Sequence, residues 1–134
     1  MKTLLKKLFG SSSSPETTRK PDNRSRLRLE NLGDASFRAD HGLRYAYLAG
    51  SMANGIGSVQ IVQALGQAGM LGFFGAAGLS LPAIERAIDR LQSGMGEQPF
   101  GCNLIHSPAE PRLEAGVVDL YLRKGIRLVE ASAY

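Results

Sequence analysis

Residues 45–75 read YAYLAGSMANGIGSVQIVQALGQAGMLGFFG: an apolar stretch, a glycine-rich loop, an amphipathic stretch and a second apolar stretch. Ser58 is a good helix N-cap, and Val62 and Leu65 fall on one face of the helix that would follow it. Gly69 stands where a left-handed residue ends a helix. The segment therefore predicts a strand–loop–helix–strand unit, which is the crossover that joins two parallel strands.

The same unit recurs about every 27 residues. It predicts four strands, at Tyr45–Ala49, Leu71–Gly75, Phe100–Ile105 and Ile126–Ala131. Continuous apolar strands with helical crossovers exclude an antiparallel sandwich, and about 31 residues per unit in a typical barrel favours a barrel over an open sheet. We expect an α/β fold: a partial (β/α)8 TIM barrel of about four parallel strands, truncated at the C-terminus because Tyr134 follows the fourth strand with no covering helix.

Charge divides the chain into two parts. Residues 1–44 carry a net charge of +5 and residues 45–134 a net charge of −1. Residues 1–26 are basic and rich in Ser and Pro, which predicts a flexible leader, and residues 27–134 then form the half-barrel. The leader has no aromatic residues interleaved with its basic ones, so we expect no nucleic-acid partner.

Cys102 is the only cysteine, which excludes an internal disulfide and favours the reducing cytoplasm. Lys6 and Lys7 break the apolar run near the N-terminus, so it does not form the core of a signal peptide. No apolar run approaches the ~20 residues of a transmembrane helix. We therefore expect a cytoplasmic protein with no transmembrane segment.

Two glycine loops follow the first two strands, at Gly50–Gly57 and Gly75–Gly78. The first is neither a P-loop, since no Lys-Ser/Thr pair follows its glycines, nor a G-x-G-x-x-G dinucleotide fingerprint. Two interpretations remain open for both loops. Their small residues can let backbone approach a flat ligand closely, or they are plain turns between strand and helix.

Polar residues in or after the later strands are candidates for a site. Asn103 in the third strand is predicted either to bond to neighbouring backbone or to face a ligand, and for Glu130 an arginine partner is favoured over a ligand. His106 follows the third strand as a lone histidine for which the sequence identifies no carboxylate or cysteine partner, so a structural role is favoured. One cysteine and two distant histidines, His41 and His106, predict no metal site and no assignable catalytic residue.

Several motifs in the same order resemble one family. FRADHGLRYAYLAGSMANGI (37–56), LGFFGAAGLS (71–80), PFGCNLIHSP (99–108) and VVDLYLRKGIRLVEASA (117–133) are similar to the flavin-dependent enoyl reductases of bacterial polyunsaturated-fatty-acid and trans-acyltransferase polyketide synthases. That family is related to 2-nitropropane dioxygenase (nitronate monooxygenase). The resemblance covers about residues 30–134 and corresponds to the N-terminal half of the enzyme only.

The resemblance implies an FMN-binding TIM barrel that takes a hydride from NAD(P)H and reduces an enoyl thioester, with an acyl-carrier-protein-linked substrate and synthase components as partners. It places the following residues at the flavin: Gly50, Ser51, Met52, Ala53, Asn103, Ala131 and Ser132. The family's remaining loops, including the one with its catalytic histidine, have no counterpart here, so we expect the 134 residues alone to be inactive. The alternatives are nitronate oxidation and a non-catalytic half-barrel that docks into a synthase complex.

Overall fold

A computed structural model describes residues 28–134 of the protein, so the predicted leader over residues 1–26 lies outside the described residues. The described chain begins with a 3-10 turn, Leu29–Asn31, and a short helix. Strands and helices then alternate to the end. In chain order the elements are α1 (Ala35–His41), β1 (Leu48–Ala49), α2 (Val59–Gln67), β2 (Leu71–Phe74), α3 (Leu81–Met95), β3 (Gly101–Ile105), α4 (Pro111–Lys124) and β4 (Leu128–Ser132).

The four strands form one parallel sheet in the order β1-β2-β3-β4. The sheet curls into half of a (β/α)8 barrel, with α2, α3 and α4 as the crossovers, and this confirms the predicted fold class. Only β1 is markedly shorter than predicted. Arg44 N and Tyr45 N both donate to Gly69 O, at 2.9 and 3.1 Å, so this part of the chain pairs with the turn before β2 and not with β2 itself.

The start of α2 predicted at Ser58 is confirmed by its cap. The Ser58 hydroxyl accepts a hydrogen bond from Ile61 N at 3.3 Å and so satisfies one of the unpaired donors at the start of α2. Gly125 ends α4 in the left-handed conformation, with φ of +67°. Ser80 occupies the N-cap position of α3, but its side chain accepts no hydrogen bond from that helix.

The hydrophobic core lies between the sheet and the helix layer. It contains Ile84, Ile88 and Leu91 of α3 together with Val62 of α2, Leu120 of α4, and Phe74 and Cys102 of the strands. Side chains alternate between the two faces of a strand, so Phe73 lies on the opposite, concave face, where a Cβ atom on its register partner Gly101 would meet the Phe73 ring. The sheet therefore has one face buried under helices and one concave face.

Strand β4 is covered less well than β3. Val129 is the register partner of Cys102, and the two side chains point to the same face of the sheet. Cys102 is fully buried, whereas Val129 is 44% exposed, because no helix follows β4 within residues 28–134. The helix-facing surface of β4 is thus open in the described part of the chain.

Candidate functional site

The carboxyl ends of the four strands lie at one edge of the sheet because all four strands run in the same direction. This edge, which we call the rim, consists of residues 50–57 after β1, 75–80 after β2, 106–110 after β3 and 133–134 after β4. Ligands bind at this edge in parallel α/β folds because loops from several strands converge there. The residues predicted from the sequence to bind a cofactor lie in the rim or in β3 and β4 beneath it.

Main-chain hydrogen bonds join the first two loops of the rim. Gly55 N donates to Gly75 O at 2.9 Å, and Gly75 N donates to Gly57 O at 2.9 Å. The loops approach so closely that a Cβ atom on Gly75 would overlap the carbonyl oxygen of Met52. Gly57 and Gly75 therefore have a packing role of their own, whether or not the loop also contacts a ligand.

The start of the first loop presents small groups to solvent. Gly50 and Ala53 are exposed, Ser51 is half-buried, and the Met52 side chain is 43% exposed. A flat aromatic ring fits against such a surface because backbone can approach it closely and a methionine thioether packs on it. The loop therefore offers a surface that suits an isoalloxazine ring.

Asn103 joins β3 to β4 and to the loop after β2, beneath the rim. Its Oδ1 accepts a hydrogen bond from Ala77 N at 3.1 Å. Its Nδ2 donates to Glu130 O at 3.3 Å and to Ser132 Oγ at 3.0 Å. The Tyr121 hydroxyl donates to the carbonyl of Asn103 at 2.6 Å, and burial raises the pKa of that phenol. Of the two interpretations left open by the sequence, the contacts within residues 28–134 support bonding to neighbouring backbone.

Glu130 reaches from β4 to the loop after β1. Its Oε2 accepts a hydrogen bond from Ser51 N at 2.6 Å. A Cβ atom added to Gly50 would lie only 3.1 Å from Glu130 Oε1. No arginine or lysine lies within 4.0 Å of this carboxylate in the described residues. Within residues 28–134 the partner of Glu130 is therefore a backbone N–H and not the arginine that the sequence favoured.

No protein-family model matches the sequence. The polyketide biosynthesis protein PksE of Bacillus subtilis (strain 168) is 47% identical over 109 residues, which are 81% of this chain and 14% of PksE. One component of the polyunsaturated fatty acid synthase of Thraustochytrium sp. is 44% identical over 106 residues, or 79% of this chain and 7% of that component. The enoyl reductase domain of MlnA, from the macrolactin biosynthesis cluster of Bacillus amyloliquefaciens, superposes with a TM-score of 0.75 at 44% identity, over 80% of this chain and 25% of that one. The chain is a homologue of this enoyl reductase domain.

FabK from Thermotoga maritima also superposes, with a TM-score of 0.64 at 23% identity, over 75% of this chain and 30% of FabK. At that identity the likeness supports the fold alone. The chain thus spans about a quarter of the solved enoyl reductase chain and about a seventh of PksE. The similarity to these proteins confirms the resemblance that the sequence motifs indicate.

The two predicted site residues at the end of β4 point to opposite faces. Ser132 is the register partner of Ile105 and bonds to Asn103 on the concave face. Ala131 is the register partner of Leu104, which packs against the helix-covered core. Because its side chain points away from the concave face, Ala131 can reach a ligand at the rim through its backbone only.

His106 has a carboxylate partner that the sequence analysis missed. Its Nδ1 lies 3.2 Å from Glu114 Oε2, and its ring stacks on Tyr134 with centroids 5.0 Å apart. Glu114 also accepts hydrogen bonds from Ser107 N at 2.7 Å and from the Tyr134 hydroxyl at 3.0 Å. The bond from Ser107 N is the main cause that lowers the pKa of Glu114. In the sequence, the signal for this contact was Glu114 itself, an acidic residue in the first turn of α4.

A cavity of about 380 Å³ opens between the loops after β2 and β3. Apolar side chains form most of its wall, and polar groups lie among them. The lining includes Ala77, Leu79, Ile84, Leu104, Leu113 and Val117 with Asn103, Ser80, Ser107 and Glu114. The cavity adjoins the rim on the side of α3 and α4, and Asn103 is the residue that it shares with the predicted cofactor site.

Cys102 is a core residue of β3. It is fully buried, and burial raises the pKa of its thiol to about 12. Within residues 28–134, no cluster of three or more His, Cys, Asp or Glu side chains could hold a metal ion. Among the helices of the same range, none combines the length and apolarity that a membrane crossing requires.

Proposed function

We propose that these residues form part of an FMN-dependent oxidoreductase that reduces enoyl thioesters during polyketide or polyunsaturated fatty acid biosynthesis. The observation that carries the proposal is the 44% identity to the MlnA enoyl reductase domain over a shared half-barrel. The names of the other relatives, a polyketide biosynthesis protein and components of a polyunsaturated fatty acid synthase, point to the same setting.

The rim geometry supports a flavin site at the predicted residues. Gly50–Ala53 would lie against the ring, because this segment is exposed and its backbone is free of bulky side chains apart from Met52. Asn103 and Ser132 would form the floor of the site, held in place by their mutual hydrogen bond. When bound, the flavin supplies hydride transfer from NAD(P)H to the substrate, and the chain binds and orients the flavin.

We assign to residues 28–134 roles in binding and supporting the flavin. We propose none of these residues as catalytic. Residues 28–134 supply four of the eight strands of a barrel. A closed site needs loops from both halves, so we expect the 134 residues by themselves to show little or no turnover. Acyl-carrier-protein-linked thioesters are the proposed substrates, and synthase components the proposed partners.

The test is a chimera in which residues 30–134 replace the homologous segment of the MlnA enoyl reductase domain. We expect the chimera to bind FMN and to oxidise NAD(P)H with crotonyl thioester. Met52→Glu should abolish flavin binding in the chimera, because it places a charge against the ring. Ile56→Glu is the matched control, since Ile56 lies in the same loop, is 61% exposed and is not predicted to touch the flavin.

Two outcomes would count against the proposal. A folded chimera that takes up no flavin would refute the cofactor assignment. A flavin-loaded chimera that turns over an alkyl nitronate but not crotonyl thioester would favour the nitronate monooxygenase alternative, which nothing in the names of the similar proteins supports.

A further inference from the structure

Glu130 lies in β4, but its side chain bonds to the loop after β1, on the other side of the half-barrel. β1 and β4 are the two edge strands of the sheet, separated by three strand spacings, or roughly 14 Å in a flat sheet. The 2.6 Å bond from Ser51 N to Glu130 Oε2 spans that gap. It can form only because the sheet curls and the loop after β1 leans over the concave face toward β4.

The two halves of the glycine loop are held by different partners. The distal half is bonded to the loop after β2 through Gly55 and Gly57. At the proximal half, the bond that joins Ser51 N to Glu130 is the contact with another strand. A short hydrogen bond to a carboxylate is stronger than one between neutral groups, so this single contact can fix the local backbone.

Gly50 is the residue that lets the carboxylate approach. A side chain there would bring a Cβ atom within 3.1 Å of Glu130 Oε1, which is closer than ordinary van der Waals contact. Asn103, the register partner of Glu130, does the same for the loop after β2 by accepting from Ala77 N. Adjacent residues on the concave face thus anchor the first two loops of the rim.

We infer that Glu130 is a positioning residue for Gly50–Met52: it holds this backbone in the conformation that receives the flavin. The inference rests on the proposed function for the identity of the ligand. The anchoring itself rests on the hydrogen bond, the close approach at Gly50 and the absence of a cationic partner for Glu130 in the described part of the chain.

The experiment measures amide hydrogen exchange by NMR in the full 134-residue chain. In Glu130→Ala, exchange at Ser51 should accelerate roughly ten- to hundredfold, as expected for losing a hydrogen bond to a charged group. Gly75, whose amide bonds to Gly57 O, should stay unchanged. Glu130→Gln keeps an acceptor of about half the strength, so its Ser51 exchange should fall between those of the wild type and the alanine variant.

Glu114→Ala is the matched control. Glu114 also accepts from a backbone N–H at 2.7 Å, that of Ser107, but at another loop. This variant should accelerate exchange at Ser107 and leave Ser51 unchanged. FMN titration of the chimera that carries residues 30–134, followed by quenching of flavin fluorescence, should show at least tenfold weaker binding with Glu130→Ala and unchanged binding with Glu114→Ala.

The outcomes separate this inference from the proposed function. Unchanged exchange at Ser51 in Glu130→Ala would overturn the inference, and so would equal acceleration at Ser51 and Gly75, because Glu130 would then support the whole sheet and not one loop. If Ser51 responds as expected but the chimera with the wild-type segment binds no FMN, the anchoring role stands and the cofactor assignment fails.

Discussion

Replacing Gly75 by alanine tests the close contact between the two glycine loops. A Cβ atom there would overlap the carbonyl oxygen of Met52, and backbone cannot rotate away as a side chain can. Overpacking of this kind costs about 1–3 kcal/mol. The shift also endangers the two hydrogen bonds between Gly75 and the first loop, each worth about 0.5–1.5 kcal/mol.

Together these terms predict a loss of about 2–6 kcal/mol in the free energy of unfolding. Single domains are stable by only about 5–15 kcal/mol, so the variant should be severely destabilised. The assay is urea unfolding of the 134-residue chain followed by far-UV circular dichroism. The midpoint should fall well below that of the wild type.

Gly125→Ala is the matched control for the glycine substitution. Gly125 has φ of +67° but open space around it, so its cost is that of the left-handed backbone alone, about 1–2 kcal/mol. The reasoning is refuted if Gly75→Ala destabilises no more than Gly125→Ala. In that case the loops would separate at little cost, and the close approach would have no energetic importance.

Three further predictions follow from single side chains. Asn103→Leu should cost about 1–3 kcal/mol in urea unfolding, because the Ala77 amide loses its buried acceptor, and a loss no larger than that of a surface substitution such as Gln60→Ala would contradict this. The lowered pKa of Glu114 means that this residue stabilises the fold above pH 4.5 and that the contribution is lost as pH falls through the folded-state value; thermal melts should therefore drop more steeply on acidification in the wild type than in Glu114→Gln. Cys102 should resist iodoacetamide near neutral pH in the folded chain and react in urea, since burial keeps its thiol protonated, and rapid labelling of the native protein would count against the described core.

Local patterns in the sequence predicted the elements that depend on local physics. Ser58 and Gly69 mark the two ends of α2 because an N-cap hydroxyl and a left-handed glycine act on their own immediate backbone. The predicted start of β1 was wrong because a distant segment takes the hydrogen bonds of that backbone. Tyr45 was predicted to be in β1, but its N–H is taken by Gly69 O, 24 residues later, and no local propensity reports that pairing.

The candidate site shows the same division. Small residues after a strand indicated the loop at Gly50–Ala53, and the predicted positions of Asn103 and Ser132 beneath it are where the fold places two bonded side chains. The partners of charged groups could not be read from the sequence. Glu130 was expected to pair with an arginine, and His106 was expected to have no carboxylate nearby.

By itself, the sequence determined a repeating strand–loop–helix order, a parallel half-barrel and a family resemblance, because hydrophobic period, caps and motifs are properties of short segments. Only the tertiary structure decided that the carboxylate of Glu130 meets the Ser51 amide 79 residues away, and that Gly75 leaves room for the Met52 carbonyl. Such contacts depend on how far the sheet curls and how closely two loops approach. Those distances are set by the packing of the whole sheet against its helices, which no single segment encodes.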